Sequence, residues 1–353
     1  MALTLDARAL LRPAQADPAA LEPAQQAVEQ AARALQRGAL VGLPTETVYG
    51  LAADADQAEA VGRIFDAKGR PKDHPLIVHL AGASVAQWQA GVAHYARELP
   101  GFAAKLMQAF WPGPLTLILP RKPEVGAASA GGQDSIGLRC PAHPVAQALL
   151  QACAALGVHG LAAPSANRFG RVSPTSAAHV RDEFDALLSD DELLILDGGP
   201  CPVGIESTIV DCSRGHPVLL RPGMIGIEAL EAALGQPVAL RDQAAPKASG
   251  TLESHYAPTA RVRLMPQAEM QAALDLLGAD ARQIAIYTRQ PSSSASRHLL
   301  LRYMPTQADA CAQELFAVLR ELDQPDTRLI WVETPPADAA WDGVRDRLQR
   351  AAA

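Results

Sequence analysis

LPTETVYGLAADADQAEAVGRIFDAKGRPKDHPLIVHL, residues 43–80, reads as one strand–turn–helix–turn–strand unit. Leu40–Leu43 is a short apolar run stopped by Pro44, the signature of a buried strand. Ala60, Val61, Ile64 and Phe65 then recur at helical spacing. Lys68-Gly69-Arg70-Pro71 ends that helix, because glycine and proline both break it and proline biases Arg70 toward extended backbone. Leu76-Ile77-Val78 is a second short strand with His79 at its end. The turns hold the chemistry. Lys68 and Arg70, two apart, can converge on one anion, Arg as a planar fork and Lys as a point charge. An isolated Lys-x-Arg is most often a solvated turn. Here lysine is scarce: of 31 Lys+Arg only Lys68, Lys72, Lys105, Lys122 and Lys247 are lysines, and two of them fall in this turn.

Further along the chain, more strand ends carry fixed cations or hydroxyls. Ser135–Arg139 (SIGLR) is a short strand ending in Arg139. Leu161-Ala162-Ala163 leads into Pro164-Ser165-Ala166-Asn167, then Phe169 and Ser173-Pro174-Thr175. Small polar residues at a strand end can offer side-chain donors and close backbone N–H groups to phosphate oxygens. They can equally cap the next helix. Gly204–Asp211 (GIESTIVD) puts Ser207 and Thr208 at the head of an apolar strand, and Val218–Gly223 (VLLRPG) ends another in Arg221. Arg70, Arg139, Ser165, Ser207 and Arg221 at separate strand ends point to a shared anion-binding cleft.

The 353 residues suggest two domains, and a 48% hydrophobic fraction with only 4% aromatics predicts aliphatic, Ala-rich cores. A net charge of -7 argues against a surface coated for nucleic acid, though not against a local basic cleft. Five scattered cysteines with no Cys-x-x-Cys fit a reducing, cytoplasmic compartment and argue against structural zinc. No run is long enough to span a membrane, and the N-terminus lacks a signal peptide's apolar core. There is no P-loop, no G-x-G-x-x-G and no H-E-x-x-H. Residues 1–22 read as a flexible lead-in, 23–230 as the catalytic domain opening with a helix from Pro23 to Arg37, and 231–260 as a linker. Gly126–Asp134 reads as a mobile loop. From Arg261 to residue 353, strands and helices alternate as in a small second α/β domain.

PTETVYGL, KGRP, HPLIVH, SAN…SPT, GIESTIVD, LRPG and SHYAP together resemble the threonylcarbamoyl-AMP synthase family. The resemblance implies a YrdC-like twisted mixed sheet with flanking helices, a linker that folds over the active site as a lid, and a Rossmann-like C-terminal domain. It implies conversion of ATP, L-threonine and bicarbonate to threonylcarbamoyl-AMP and pyrophosphate, for threonylcarbamoyl-adenosine in tRNA. By motif, Lys68 and Arg70 would bind phosphates and the carbamate. Thr47, His79, Arg139, Ala163 and Ser207 would bind L-threonine, with Arg139 on its carboxylate. Arg70, His74, Ser135, Ser165, Asn167, Ser173, Arg221 and, from the lid, Tyr256 would contact ATP. Mg2+ would accompany ATP with no dedicated carboxylate pair, and the product would pass to the tRNA threonylcarbamoyl transferase machinery, with contact to tRNA itself also open. No covalent nucleophile is needed, since gathering anions is work for fixed cations and preorganised donors. Two rivals are a double-stranded RNA- or tRNA-binding module without catalysis and a related carbamoyl-transfer enzyme. The absence of zinc-finger cysteines and of an acylphosphatase segment argues against the latter. Three stretches depart from the family pattern: Phe169 where a small residue is usual, the linker start SGTLESHYAP, and the C-terminal AAWDGVRDRL.

Overall fold

The computed structural model describes residues 2–82, 84–252 and 254–353. Met1, at the head of the expected lead-in, and Glu253, inside the expected linker, lie outside the described residues. The chain forms two compact units: Met1–Phe169 with Pro174–Pro202 and Glu206–Thr251, and Gly170–Ser173 with Val203–Ile205 and Leu252–Ala353.

In the first unit the strands are β1 (Leu3–Asp6), β2 (Leu40–Leu43), β3 (Gly50–Asp54), β4 (Ile77–His79), β5 (Leu115–Pro120), β6 (Ser135–Arg139), β7 (Leu161–Ala162), β8 (Leu193–Asp197), β9 (Thr208–Asp211), β10 (Val218–Arg221) and β11 (Ala239–Leu240). Its helices are α1 (Pro18–Gln36), α2 (Ala58–Lys68), α3 (Val85–Tyr95), α4 (Gly101–Phe110), α5 (Pro144–Ala155), α6 (Ala177–Phe184) and α7 (Ile227–Leu234). Among the described residues the strands form one mixed sheet in the order β1-β8-β2-β3-β7-β4-β6-β5-β9-β10-β11. Alternate strand residues feed two cores, one on each face. Leu40, Leu51 and Ala53 join the core under α2, α3, α4, α6 and α7. Val41, Leu43 and Ala52 join the core under α1 and α5. A sheet covered on both faces explains why its strands read as continuous apolar runs.

The lead-in is not loose: Leu3–Asp6 pairs in parallel with Leu194–Asp197, far along the chain. Nor does the first helix begin at Pro23. Asp17 caps it, its side chain accepting from Ala19 N at 2.9 Å, and Pro18 takes the first turn, where no N–H is missed. Gly126–Asp134 is also packed rather than mobile. Ser129 and Ala130 are fully buried, and Leu76 N donates to Ser129 O at 2.7 Å. Its small residues serve close approach: a Cβ on Gly131 would stand 2.8 Å from Asp73 O. The expected linker starts inside α7 and includes β11, which pairs with β10. All five cysteines are free and buried.

The second unit holds β12 (Arg261–Met265), α8 (Gln267–Leu277), β13 (Ile284–Thr288), β14 (Leu300–Tyr303), α9 (Ala308–Leu322), β15 (Leu329–Glu333) and α10 (Asp342–Ala352). Its four strands are all parallel in the order β12-β15-β13-β14, the α/β layer expected from the alternating pattern and Rossmann-like as the resemblance implies.

Candidate active site

Parallel and antiparallel pairing set several of the expected residues in one row at an end of the first unit's sheet. His79, closing β4, lies opposite Arg139, closing β6, and Arg139 lies opposite Thr116 of β5. Thr208 of β9 pairs with Leu115, which brings Ser207 to the same end. Arg221 closes β10. On the other side Ala163 N donates to Ile77 O at 3.0 Å, and Ser165 bridges Gly50. Glycine at Gly50 leaves room for this approach, since a Cβ there would stand 3.0 Å from Ala163 Cβ.

Each cation in the row is buried and held. Arg139 NH1 donates to Thr47 Oγ1 at 2.8 Å, its Nε to Gly113 O at 3.3 Å, and its NH2 lies 2.7 Å from Glu46 Oε1. Thr47 is itself fixed in a hydroxyl-closed turn: Thr45 Oγ1 contacts Thr47 Oγ1 at 2.9 Å and donates to Val48 O at 2.6 Å. Arg221 grips Ser207 O through Nε and NH2 at 3.1 and 2.9 Å, and its NH2 reaches Ser207 Oγ at 3.2 Å. Ser207 Oγ in turn meets Thr116 Oγ1 at 2.8 Å. Burial, reinforced by the Arg139 charge, pushes the His79 imidazole down to about 3, so it is neutral at physiological pH.

Lys68 ends α2, with Gly69 in the left-handed conformation after it (φ 61). Its Nζ donates to Ser165 O at 2.6 Å and to Asn167 O. Lys68 therefore ties the SAN turn to the Lys-x-Arg turn. Burial, then the neighbouring Arg70, drives the Lys68 ammonium well below its ordinary pKa, against the charges of Glu183 and Glu206. Arg70 NH2 donates to Pro75 O at 2.9 Å and to Ser249 Oγ at 3.4 Å. Phe169, the departure from the family's small residue, lies under the Arg70 guanidinium at 5.6 Å and meets the His74 ring edge-on at 5.4 Å. Burial and Arg70 lower the His74 pKa. Ser135, buried at the start of β6, lines a pocket with Pro75, Gln133, Lys247 and Ser249. The segment over that pocket is anchored: Gln133 and Lys247 exchange two hydrogen bonds, and Arg221 NH1 donates to Ser249 O at 2.9 Å.

Ser173 and Tyr256 belong to the second unit. Ser173 is buried and its carbonyl accepts from Arg320 Nε at 3.4 Å. Tyr256 is buried in the left-handed region (φ 64), its ring 5.3 Å from Phe316 and 5.7 Å from the Arg347 guanidinium carbon. Sequence reasoning assigned no role to Glu46, Thr116 or Ser249. Glu46 stood in the quoted PTET motif, where its acidity between two threonines was the available signal; Thr116 and Ser249 carry none without the strand pairing. Among the described residues, no group of three or more His, Cys, Asp or Glu is placed to hold a metal ion, and no helix is long and apolar enough to cross a membrane.

A family model described as "Telomere recombination" matches residues 33–223, and one described as "Threonylcarbamoyl-AMP synthase, C-terminal domain" matches 225–353. The chain is 37% identical over 328 residues to the threonylcarbamoyl-AMP synthase of Pyrococcus abyssi, covering 91% of this chain and 92% of the relative. It is 36% identical over 335 residues to that of Bacillus subtilis, covering 92% of each. The crystal structure of P. abyssi Sua5 complexed with L-threonine superposes with a TM-score of 0.83 at 32% identity, covering all of this chain and 97% of that one. The chain belongs to the threonylcarbamoyl-AMP synthase family.

Proposed function

We propose that the residues gathered at this sheet end condense ATP, L-threonine and bicarbonate into threonylcarbamoyl-AMP and pyrophosphate, the nucleotidyl transfer that serves tRNA modification. The observation that carries the reading is the row His79–Arg139–Thr116–Ser207–Arg221, with Lys68 and Arg70 on adjoining turns. It concentrates positive charge and hydroxyl donors in a buried place with no nucleophile–base pair, as a reaction among anions requires. Threonine's amine adds to bicarbonate with loss of water, giving a carbamate. A carbamate oxygen then attacks the α-phosphorus, and pyrophosphate leaves. Arg139 and Thr47 hold the amino acid's carboxylate, with neutral His79, Ala163 and Ser207 beside it. Arg70, His74, Ser135, Ser165, Asn167 and Arg221 receive the nucleotide. Lys68 acts mainly by holding the turn that carries Ser165 and Asn167. Mg2+ enters as part of Mg-ATP, ligated by phosphate oxygens and water. The product passes to a tRNA threonylcarbamoyl transferase in the cytoplasm.

Pyrophosphate release from Mg-ATP, with threonine or bicarbonate omitted in turn, tests this. Release that needs both supports the synthase reading. Threonine-independent release points to plain nucleotide hydrolysis. Salt-dependent RNA affinity with no release from a folded sample that binds ATP favours the RNA-binding alternative.

A further inference from the structure

We propose that Glu46 receives the α-ammonium group of L-threonine, so that the zwitterionic substrate enters between Glu46 and Arg139 and divides their ion pair. This rests on the substrate reading above. The Glu46 and Arg139 side chains are only 7% and 4% exposed, and Arg139 NH2 lies 2.7 Å from Glu46 Oε1. Yet among the described residues neither Glu46 oxygen accepts a hydrogen bond; the contact to Arg139 is charge facing charge, outside hydrogen-bond geometry. Other buried carboxylates of this chain are treated differently. Glu333 accepts from Thr288 Oγ1, Arg289 N, Gln290 N and Arg289 NH2. Asp211 accepts from Ser213 N, Ser213 Oγ and Arg214 Nε. A carboxylate buried for packing gathers donors in this way, because an under-satisfied one is costly. Glu46 has been left without them.

Arg139 explains why. Its Nε and NH1 are engaged by Gly113 O and Thr47 Oγ1, so NH2 is the edge that an incoming carboxylate can take from Glu46. Once that happens, Glu46 is a buried anion without its counter-charge. His143, on which the Glu46 charge acts and whose Nδ1 has no partner among the described residues, does not replace it, since burial lowers its pKa and disfavours the imidazolium. The ammonium of the same amino acid does. Its two charges, one carbon apart, meet two opposite charges that already face each other. Recognition then demands both ends of the zwitterion, which restricts the slot to free α-amino acids.

Calorimetric titrations of wild type, Glu46→Gln and Glu46→Asp test this, using L-threonine, 3-hydroxybutyrate (the hydroxyl and carboxylate without the amine) and ATP. In wild type, L-threonine should bind at least about tenfold tighter than 3-hydroxybutyrate. Glu46→Gln should weaken L-threonine by at least about tenfold while 3-hydroxybutyrate and ATP hold. Glu46→Asp, which keeps the charge, should recover part of the loss. Equal weakening of L-threonine and 3-hydroxybutyrate in Glu46→Gln would mean that Glu46 merely positions Arg139, and would overturn the assignment. If Glu46→Gln does not fold, a wild type that fails to discriminate against the missing amine, or a Glu46→Asp that separates the two ligands no differently from wild type, overturns it. A wild type that binds ATP but no L-threonine would instead overturn the substrate reading itself.

Discussion

His79 and Arg139 stand side by side with their charges in opposition, and the imidazole yields. Its folded value of about 3 lies below the ordinary 6.5 because burial and the guanidinium both penalise the imidazolium. A depressed histidine is neutral in the folded chain and takes up a proton on unfolding. Its stabilising share is therefore whole above pH about 6.5 and is drawn away as the pH falls toward 3. His79→Gln removes that proton uptake. The stability advantage of wild type over His79→Gln should shrink by on the order of 3 kcal/mol between pH 7 and pH 4, read from urea midpoints. Parallel pH curves for the two proteins would show that His79 is not the neutral residue described here. The placement of His79, Arg139 and Ser207 at separate strand ends was legible in sequence, while the roles given to them came from the family resemblance. Thr116 was not, because only its pairing opposite Arg139 and its hydroxyl contact with Ser207 bring it into the row.

At the scale of elements, the turn after β10 shows how tightly the row is built. A Cβ on Gly223 would stand 2.6 Å from Thr208 N and 2.7 Å from Thr208 Oγ1. Thr208 Oγ1 is already committed, donating to Ile225 O at 2.9 Å. Gly223→Ala should therefore cost about 1–3 kcal/mol by overpacking, measured by urea denaturation, and a wild-type midpoint would show that the turn can relax. The strands of the second unit were readable from the alternation of strand-like and helical stretches, even though β12 and β14 carry Arg261, Arg263 and Arg302. The short strand β1 was not. Four residues carry too little periodicity of their own, and β1 exists by pairing with Leu194–Asp197 far along the chain. The same holds for Gly126–Asp134, where glycine and alanine read as looseness but serve close packing around Ser129 and Ala130.

At the scale of the whole molecule, the second unit's sheet ends on an exposed strand. There, β14 is an edge strand whose four residues are all exposed, with Leu300, Leu301 and Tyr303 at 42%, 37% and 58%. An apolar edge with unpaired backbone groups is a template for association between chains. Leu301→Lys should reduce turbidity on heating near the unfolding temperature without lowering pyrophosphate release. Unchanged aggregation would place the sticky surface elsewhere. The division into units was only partly legible. Gly170–Ser173 and Val203–Ile205 leave the first unit for the second, exchanges that no change in composition marks.

The five buried thiols have a practical bearing. Burial holds Cys140, Cys153 and Cys311 up near about 12, and raises Cys201 and Cys212 as well, so the thiolate that alkylating reagents and oxidants attack is scarce while the fold is closed. Cys311 lies in the second unit and the other four in the first. The native chain thus carries an intrinsic label at each of its two bodies. Mass-resolved alkylation over time would record how often each one opens, without a single added probe.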